Sequence, residues 1–222
     1  MHPPESAEEL LNRCRRIAGF TLEELAAELA VALPKDLKRD KGTVGQLLEL
    51  ALGASAGSKA EPDFPHLGIE LKTIPIDAQG APLESTYVCV APMSGFALER
   101  FEDSWVYRKL SRVLWVPVLA SRDIPLAQRT IGQAFLWRPS PAELATLQQD
   151  WEELMELLRL GQLAKIRGQH GIALQLRPKG ANSAARTNAL NEDGATIQAL
   201  PRGFYLKTSF TSQLLQRAFA DY

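Results

Sequence analysis

Apolar positions recur every three or four residues in four stretches, and each stretch opens on a Ser or Thr with Glu or Gln three positions on. That pairing is a capping box, in which two side chains satisfy the free N–H groups of a first helical turn. Ser6 and Glu9 open a run carrying Leu10, Leu11, Cys14 and Ile17, with Gly19 as its stop. Thr21 and Glu24 open one carrying Leu22, Leu25 and Leu29. Thr43 and Gln46 lead through Leu47, Leu48 and Leu52 to Gly53. Ser140 and Glu143, with Pro141 at the first helical position, lead through Trp151, Leu154, Met155 and Leu158 towards Gly161. Between the helices lie strand-like runs. Gly68-Ile-Glu-Leu-Lys-Thr-Ile-Pro alternates at first, Ser85-Thr-Tyr-Val-Cys-Val is β-rich, and Val113-Leu-Trp-Val-Pro-Val is continuously apolar. Ile172-Ala-Leu-Gln-Leu-Arg and Gly203-Phe-Tyr-Leu-Lys complete five strands. Helices interleaved with five strands predict an α/β or α+β fold with a mixed central sheet flanked by helices.

Composition narrows the class without naming a function. The 222 residues are 45% hydrophobic and 23% charged, ordinary for a globular chain. The Gly53-Ala-Ser-Ala-Gly-Ser stretch is too short to separate domains, so one domain over residues 1–222 is expected. Cys14 and Cys89 cannot build a disulfide framework, and no Cys/His spacing suggests zinc. No apolar run approaches the roughly 20 residues of a membrane helix, which predicts a cytoplasmic protein. With 25 Lys+Arg against 26 Asp+Glu, net charge says nothing for nucleic acid. Local charge says more: basic residues gather at Lys35–Lys41, at Arg108, Lys109 and Arg112, and at Arg177, Lys179, Arg186, Arg202 and Lys207. Such segments can converge on one face or remain scattered solvated side chains.

One strand carries a candidate catalytic set. Side chains alternate along a strand, so Glu70 and Lys72 face one way while Ile69 and Leu71 face the other. If the Pro62-Asp63 turn folds alongside, Asp63 joins them. Two carboxylates make a hard-oxygen site suited to Mg²⁺, with the Leu71 carbonyl as a further ligand. An ammonium one step along can orient the attacking water and offset charge growing on a phosphorane. Glu49, the one acid in the mainly apolar run from Val44 to Leu52, lies on the same helix face as Gly45. The ordinary alternative is a half-exposed edge strand whose alternating charges resist aggregation, and spacing alone leaves the two open.

Longer runs carry a resemblance. Leu37-Lys-Arg-Asp-Lys-Gly, Gly53-Ala-Ser-Ala-Gly-Ser-Lys, Gly68-Ile-Glu-Leu-Lys-Thr-Ile-Pro, Val88-Cys-Val-Ala-Pro, Asp150-Trp-Glu-Glu-Leu, Leu176-Arg-Pro-Lys and Pro201-Arg-Gly-Phe-Tyr-Leu-Lys together resemble the MutH family of DNA mismatch-repair endonucleases, from about Ser6 to Phe219. The resemblance implies a type II restriction-endonuclease-like fold, a two-lobed clamp with DNA in its cleft. It implies a Mg²⁺-dependent monomer that nicks the unmethylated strand of hemimethylated GATC 5′ of the G, activated by MutL after MutS finds a mismatch. Asp63, Glu70 and Lys72 fall on the family's metal and catalytic triad, Glu49 on its supporting acid and Lys109 on a basic residue implicated in activity. Lys41 and Gly42 match a DNA-contacting turn. Tyr87, Arg177, Pro178 and Tyr205 match the surface that senses the base and its methylation. Departures are Met93–Trp105, the loop from Ala181 to Thr196, Ser111 in place of Lys, and tyrosine rather than phenylalanine at position 87. Two other functions compete: a stand-alone GATC restriction endonuclease of the same fold, and a non-catalytic DNA-binding module.

Overall fold

Local capping chemistry decides where the helices start. The computed structural model describes residues 2–34, 42–57, 61–95, 99–180 and 182–220. Helix α2 (Leu22–Glu28) and helix α5 (Pro141–Arg159) open on complete capping boxes from Thr21/Glu24 and Ser140/Glu143. Each such cap is worth about 1 kcal/mol. Two starts differ from the sequence expectation. At α1 (Ala7–Ile17), Ser6 accepts from the Glu9 amide, but the Glu9 carboxylate accepts from the Glu5 amide and from Arg13 instead of closing the box. At α3 (Thr43–Leu52) the cap is Gly42 in a left-handed conformation, so Thr43 is the first helical residue and not the cap.

The chain divides into two compact units, each discontinuous in sequence: Met1–Glu84 with Arg112–Arg138 and Leu214–Tyr222, and Ser85–Ser111 with Pro139–Gln213. The first holds a mixed sheet. Strand β1 (Glu70–Ile76) pairs in parallel with β3 (Val113–Leu119), Glu70 opposite Val113 and Lys72 opposite Trp115. Strands β4 (Thr130–Ile131) and β5 (Phe135–Trp137) pair antiparallel with β3. Ile69, Leu71, Leu114 and Val116 join the apolar faces of α1, α2 and α3 in one core, including Leu10, Leu25, Leu48, Leu52 and Phe64. Strand alternation then sends Glu70 and Lys72 to the opposite face of β1.

The second unit is built on an antiparallel sheet in the order β2 (Thr86–Val90), β9 (Arg202–Leu206), β6 (Leu174–Pro178). The five strands expected from sequence are therefore shared between two sheets. Helix α4 (Trp105–Leu110) packs on β2 and α5 on β6. The core includes Val88, Val106, Leu110, Leu147, Trp151, Leu154, Leu174 and Phe204. A hairpin of β7 (Thr187–Leu190) and β8 (Thr196–Ala199) occupies part of the segment expected as a loop. Asn191 closes its turn, with the side-chain oxygen accepting from the Asp193 and Ala195 amides. Helix α6 (Thr208–Ala218) is the last element among the described residues. Among the described residues no helix is long and apolar enough to cross a membrane. Cys14 is buried among apolar neighbours, which pushes its thiol up to about 12 and keeps it uncharged.

Candidate active site and base-reading surface

Asp63, Glu70 and Lys72 come together at the head of β1. The Asp63 carboxylate accepts a 2.7 Å hydrogen bond from the Leu71 amide, which fixes the preceding turn alongside the strand. The Asp63 carbonyl in turn accepts from the Ser55 and Ala56 amides, tying the turn to the segment that leaves α3. Lys72 Nζ lies 3.2 Å from Glu70 Oε1. Glu70 is 5% exposed and Lys72 8%. A solvated edge strand would not bury both. Although β1 is at one end of the sheet order, its charged face is enclosed. Burying two charges costs several kcal/mol per ion, which pairing only partly offsets. Such a pair is poor evidence for stability.

Glu49 sits on α3 just ahead of the buried Ala51 and Leu52, and that helix packs against β1. A side chain at Gly45 would begin 3.9 Å from Glu49 Oε1, so the two share a helix face, as their spacing predicts. Among the described residues no group of three or more His, Cys, Asp or Glu side chains is arranged to hold a metal ion. The donors expected from the sequence are two carboxylates, Asp63 and Glu70, with the Leu71 backbone carbonyl. An all-oxygen set with few protein ligands suits Mg²⁺, which retains several waters, and does not suit zinc. Lys109 is half-buried on α4, in the second unit. Gly42 is the α3 cap, whereas Lys41 lies outside the described residues.

The four residues expected to read the base come together on the second unit's sheet. Tyr87 on β2 is directly opposite Tyr205 on β9, and the rings meet edge to face with centroids 5.3 Å apart. The Arg177 guanidinium on β6 stands 5.7 Å from the Tyr205 centroid, and its Nη1 donates to Ser85 Oγ. Pro178 is opposite Arg202 at the exposed end of β6. Tyr205 is half-exposed, not the buried aromatic that ordinary habits of its residue type would suggest. Burial pushes the Tyr87 phenol up to about 12, with Cys89 and Tyr205 adding to the effect, so it stays protonated at neutral pH.

Two neighbours, Lys179 and Gly203, pack against Tyr87. Lys179 Nζ lies 4.3 Å from the Tyr87 centroid, a cation over an aromatic face. A Cβ at Gly203 would meet Tyr87 Cε2 at 2.9 Å, so only glycine lets the ring lie on the strand. The run Arg177-Pro-Lys179 holds the one available signal, since residues two apart on a strand share a face. Nothing local points to Gly203, because its contact crosses between distant strands.

Residues 52–150 match the family described as DNA mismatch repair enzyme MutH. The chain is 58% identical to the DNA mismatch repair protein MutH of Shewanella baltica strain OS185 over 98% of its own length and 97% of that protein's. It is 58% identical over the same shares to the strain OS155 protein, and 56% to that of Shewanella sp. strain MR-7. A mixed sheet flanked by helices is the architecture of the restriction-endonuclease-like nucleases. Within that class, the chain belongs to the MutH family of DNA mismatch repair enzymes.

Proposed function

We propose that this enzyme is a Mg²⁺-dependent endonuclease that nicks the unmethylated strand of hemimethylated GATC 5′ of the G, as a monomer activated by MutL downstream of MutS. The observation that carries the reading is the enclosed Glu70–Lys72 pair with Asp63 fixed beside it on the Leu71 amide. Asp63 and Glu70, with the Leu71 carbonyl, would hold the metal, and Glu49 would support them. Bound there, Mg²⁺ would supply Lewis-acid chemistry towards the phosphoryl group and the attacking water. Lys72 Nζ orients the water and faces the negative charge that grows as the water oxygen bonds to phosphorus and the P–O bond to the leaving sugar oxygen breaks. Lys41, Gly42 and Lys109 would contact the DNA backbone or support its cleavage.

Nicking of a plasmid bearing one hemimethylated GATC, with Mg²⁺ and with or without MutL and ATP, tests this function. The expected result is slow nicking of the unmethylated strand that MutL and ATP accelerate. Rapid double-strand cleavage of unmodified DNA, indifferent to MutL, would favour the stand-alone restriction enzyme.

Strand choice is assigned to Tyr205. Adenine offers its N6 amino group in the major groove, and methylation adds bulk at that donor. A phenolic oxygen that accepts the N6 hydrogen loses its bond, or collides, when a methyl points at it. Tyr205→Phe is expected to remove about 1 kcal/mol of discrimination, roughly fivefold in the ratio of nicking rates on unmethylated and methylated strands. Unchanged melting would accompany that loss. A preserved rate ratio would move the methyl sensor to Arg177, Pro178 or Tyr87.

A further inference from the structure

We propose that Gln175 is a base-reading residue whose amide donates to N7 of the adenine that presents its N6 group to Tyr205; this deepens the function proposed above and rests on it. Sheet register places the side chain. Gln175 on β6 is directly opposite Tyr205 on β9, and Tyr205 is directly opposite Tyr87 on β2. Residues directly opposite on antiparallel strands share a face, so the three form one row across the sheet. Burial along β6 agrees: Leu174 and Leu176 are buried, Gln175 is half-exposed and Arg177 is exposed. Arg177 and Lys179 follow Gln175 at two-residue steps, and their cations lie over the Tyr205 and Tyr87 rings on that same face.

The side chain is held in place but chemically uncommitted. The Leu174 amide donates to Asp150 Oδ2 at 2.7 Å, which fixes the backbone immediately before Gln175. Among the described residues no hydrogen bond engages the Gln175 carboxamide. By contrast, Arg177 commits Nη1 to Ser85 Oγ. In the major groove adenine presents the N7 acceptor beside the N6 donor, a pattern that one Gln or Asn can match with both of its amide atoms. Here the pattern is divided between neighbours on adjacent strands. The Tyr205 oxygen takes the N6 hydrogen, and N7 is left for a donor next to it. Guanine also has N7 but carries an acceptor, O6, where adenine has N6. Gln175 therefore requires a purine, and Tyr205 separates adenine from guanine. Methylation at N6 leaves N7 unchanged, so Gln175 reads the base in either state while Tyr205 tests the methyl.

The test is equilibrium binding, without divalent metal, to duplexes carrying adenine or 7-deazaadenine in the unmethylated strand of GATC. The analogue has C–H in place of N7. Wild type is expected to bind the 7-deaza duplex about fivefold more weakly, the worth of one hydrogen bond. Gln175→Ala is expected to lose about the same factor on the adenine duplex and nothing further on the 7-deaza duplex. Gln175→Met, closer in volume, is expected to behave alike, with both variants melting as wild type does. A further loss on the 7-deaza duplex in these variants, or no 7-deaza penalty in wild type, would overturn the contact. So would an equal loss on a scrambled duplex, which would make the effect independent of sequence. A changed ratio of nicking rates on unmethylated and methylated strands in Gln175→Met would also overturn it, because N6 and not N7 would then be sensed. Failure of the wild-type protein to distinguish GATC from the scrambled duplex would instead overturn the GATC reading itself.

Discussion

Glu70→Ala is expected to lower strand cleavage by about 10³-fold or more while duplex binding survives or tightens. The magnitude follows from the role assigned to the carboxylate. A bound metal contributes several kcal/mol of transition-state stabilisation, and roughly 4 kcal/mol corresponds to three powers of ten in rate. Binding moves the other way because a negative charge facing phosphates has been removed. Truncation also leaves the Lys72 ammonium, 8% exposed, without the oxygen 3.2 Å away, so a loss of activity could reflect lost folding. Glu70→Gln separates these outcomes, since its amide oxygen still accepts from Lys72 but ligates a cation poorly. Asp63→Asn is the parallel control, keeping an acceptor for the Leu71 amide. Single-turnover nicking beside a thermal melt reads both quantities. Activity above about a tenth of wild type in a folded Glu70 or Asp63 variant would remove that residue from the metal site.

What the sequence discloses about this site depends on how local the physics is. The alternation of Glu70 and Lys72 is a property of two residues on one strand and is legible at once. Asp63 is legible only as a possibility, because its place depends on a turn closing onto the Leu71 amide. Burial of the pair is not legible, since it depends on what covers that face of the sheet. The same distinction runs through the fold. Capping boxes at Thr21 and Ser140 are three-residue devices and form as written. The box expected at Thr43 does not, because Gly42 reaches a left-handed cap that moves the helix start by one residue. Strands β4 and β5, two and three residues long, carry too little pattern to be seen and exist because β3 offers an edge to pair with. The Tyr87–Tyr205 pair is a product of register between distant segments. Only the family resemblance draws attention to the tyrosines.

Asp150→Ala is expected to destabilise the fold by about 3–5 kcal/mol, for a reason that has nothing to do with chemistry on DNA. The side chain is 2% exposed, on the buried face of α5. Its Oδ1 accepts from the Ile172 amide at 2.7 Å, and its Oδ2 from the Ala173 and Leu174 amides at 2.6 and 2.7 Å. One carboxylate thus satisfies three successive N–H groups where β6 begins, and β6 carries Arg177 and Pro178 towards the tyrosine pair. Gly171 makes the approach possible: its φ is +70°, and a Cβ there would lie 3.1 Å from the Asp150 carboxyl carbon and 2.2 Å from the Leu174 carbonyl oxygen. Truncation at 150 leaves those amides without their acceptor, and a buried donor left unsatisfied costs about 1–3 kcal/mol. For a chain of this size the melting temperature should fall by roughly 10 °C or more. Asp150→Asn should fall between the two, since one amide oxygen can serve some of the donors while its NH₂ group faces the others. Hydrogen exchange at Ile172, Ala173 and Leu174 localises the effect, and faster exchange there before the rest of the sheet is the expected pattern. If Asp150→Ala melted within about 2 °C of wild type, the network would be worth less than about 1 kcal/mol and β6 would be anchored by its pairing with β9 alone.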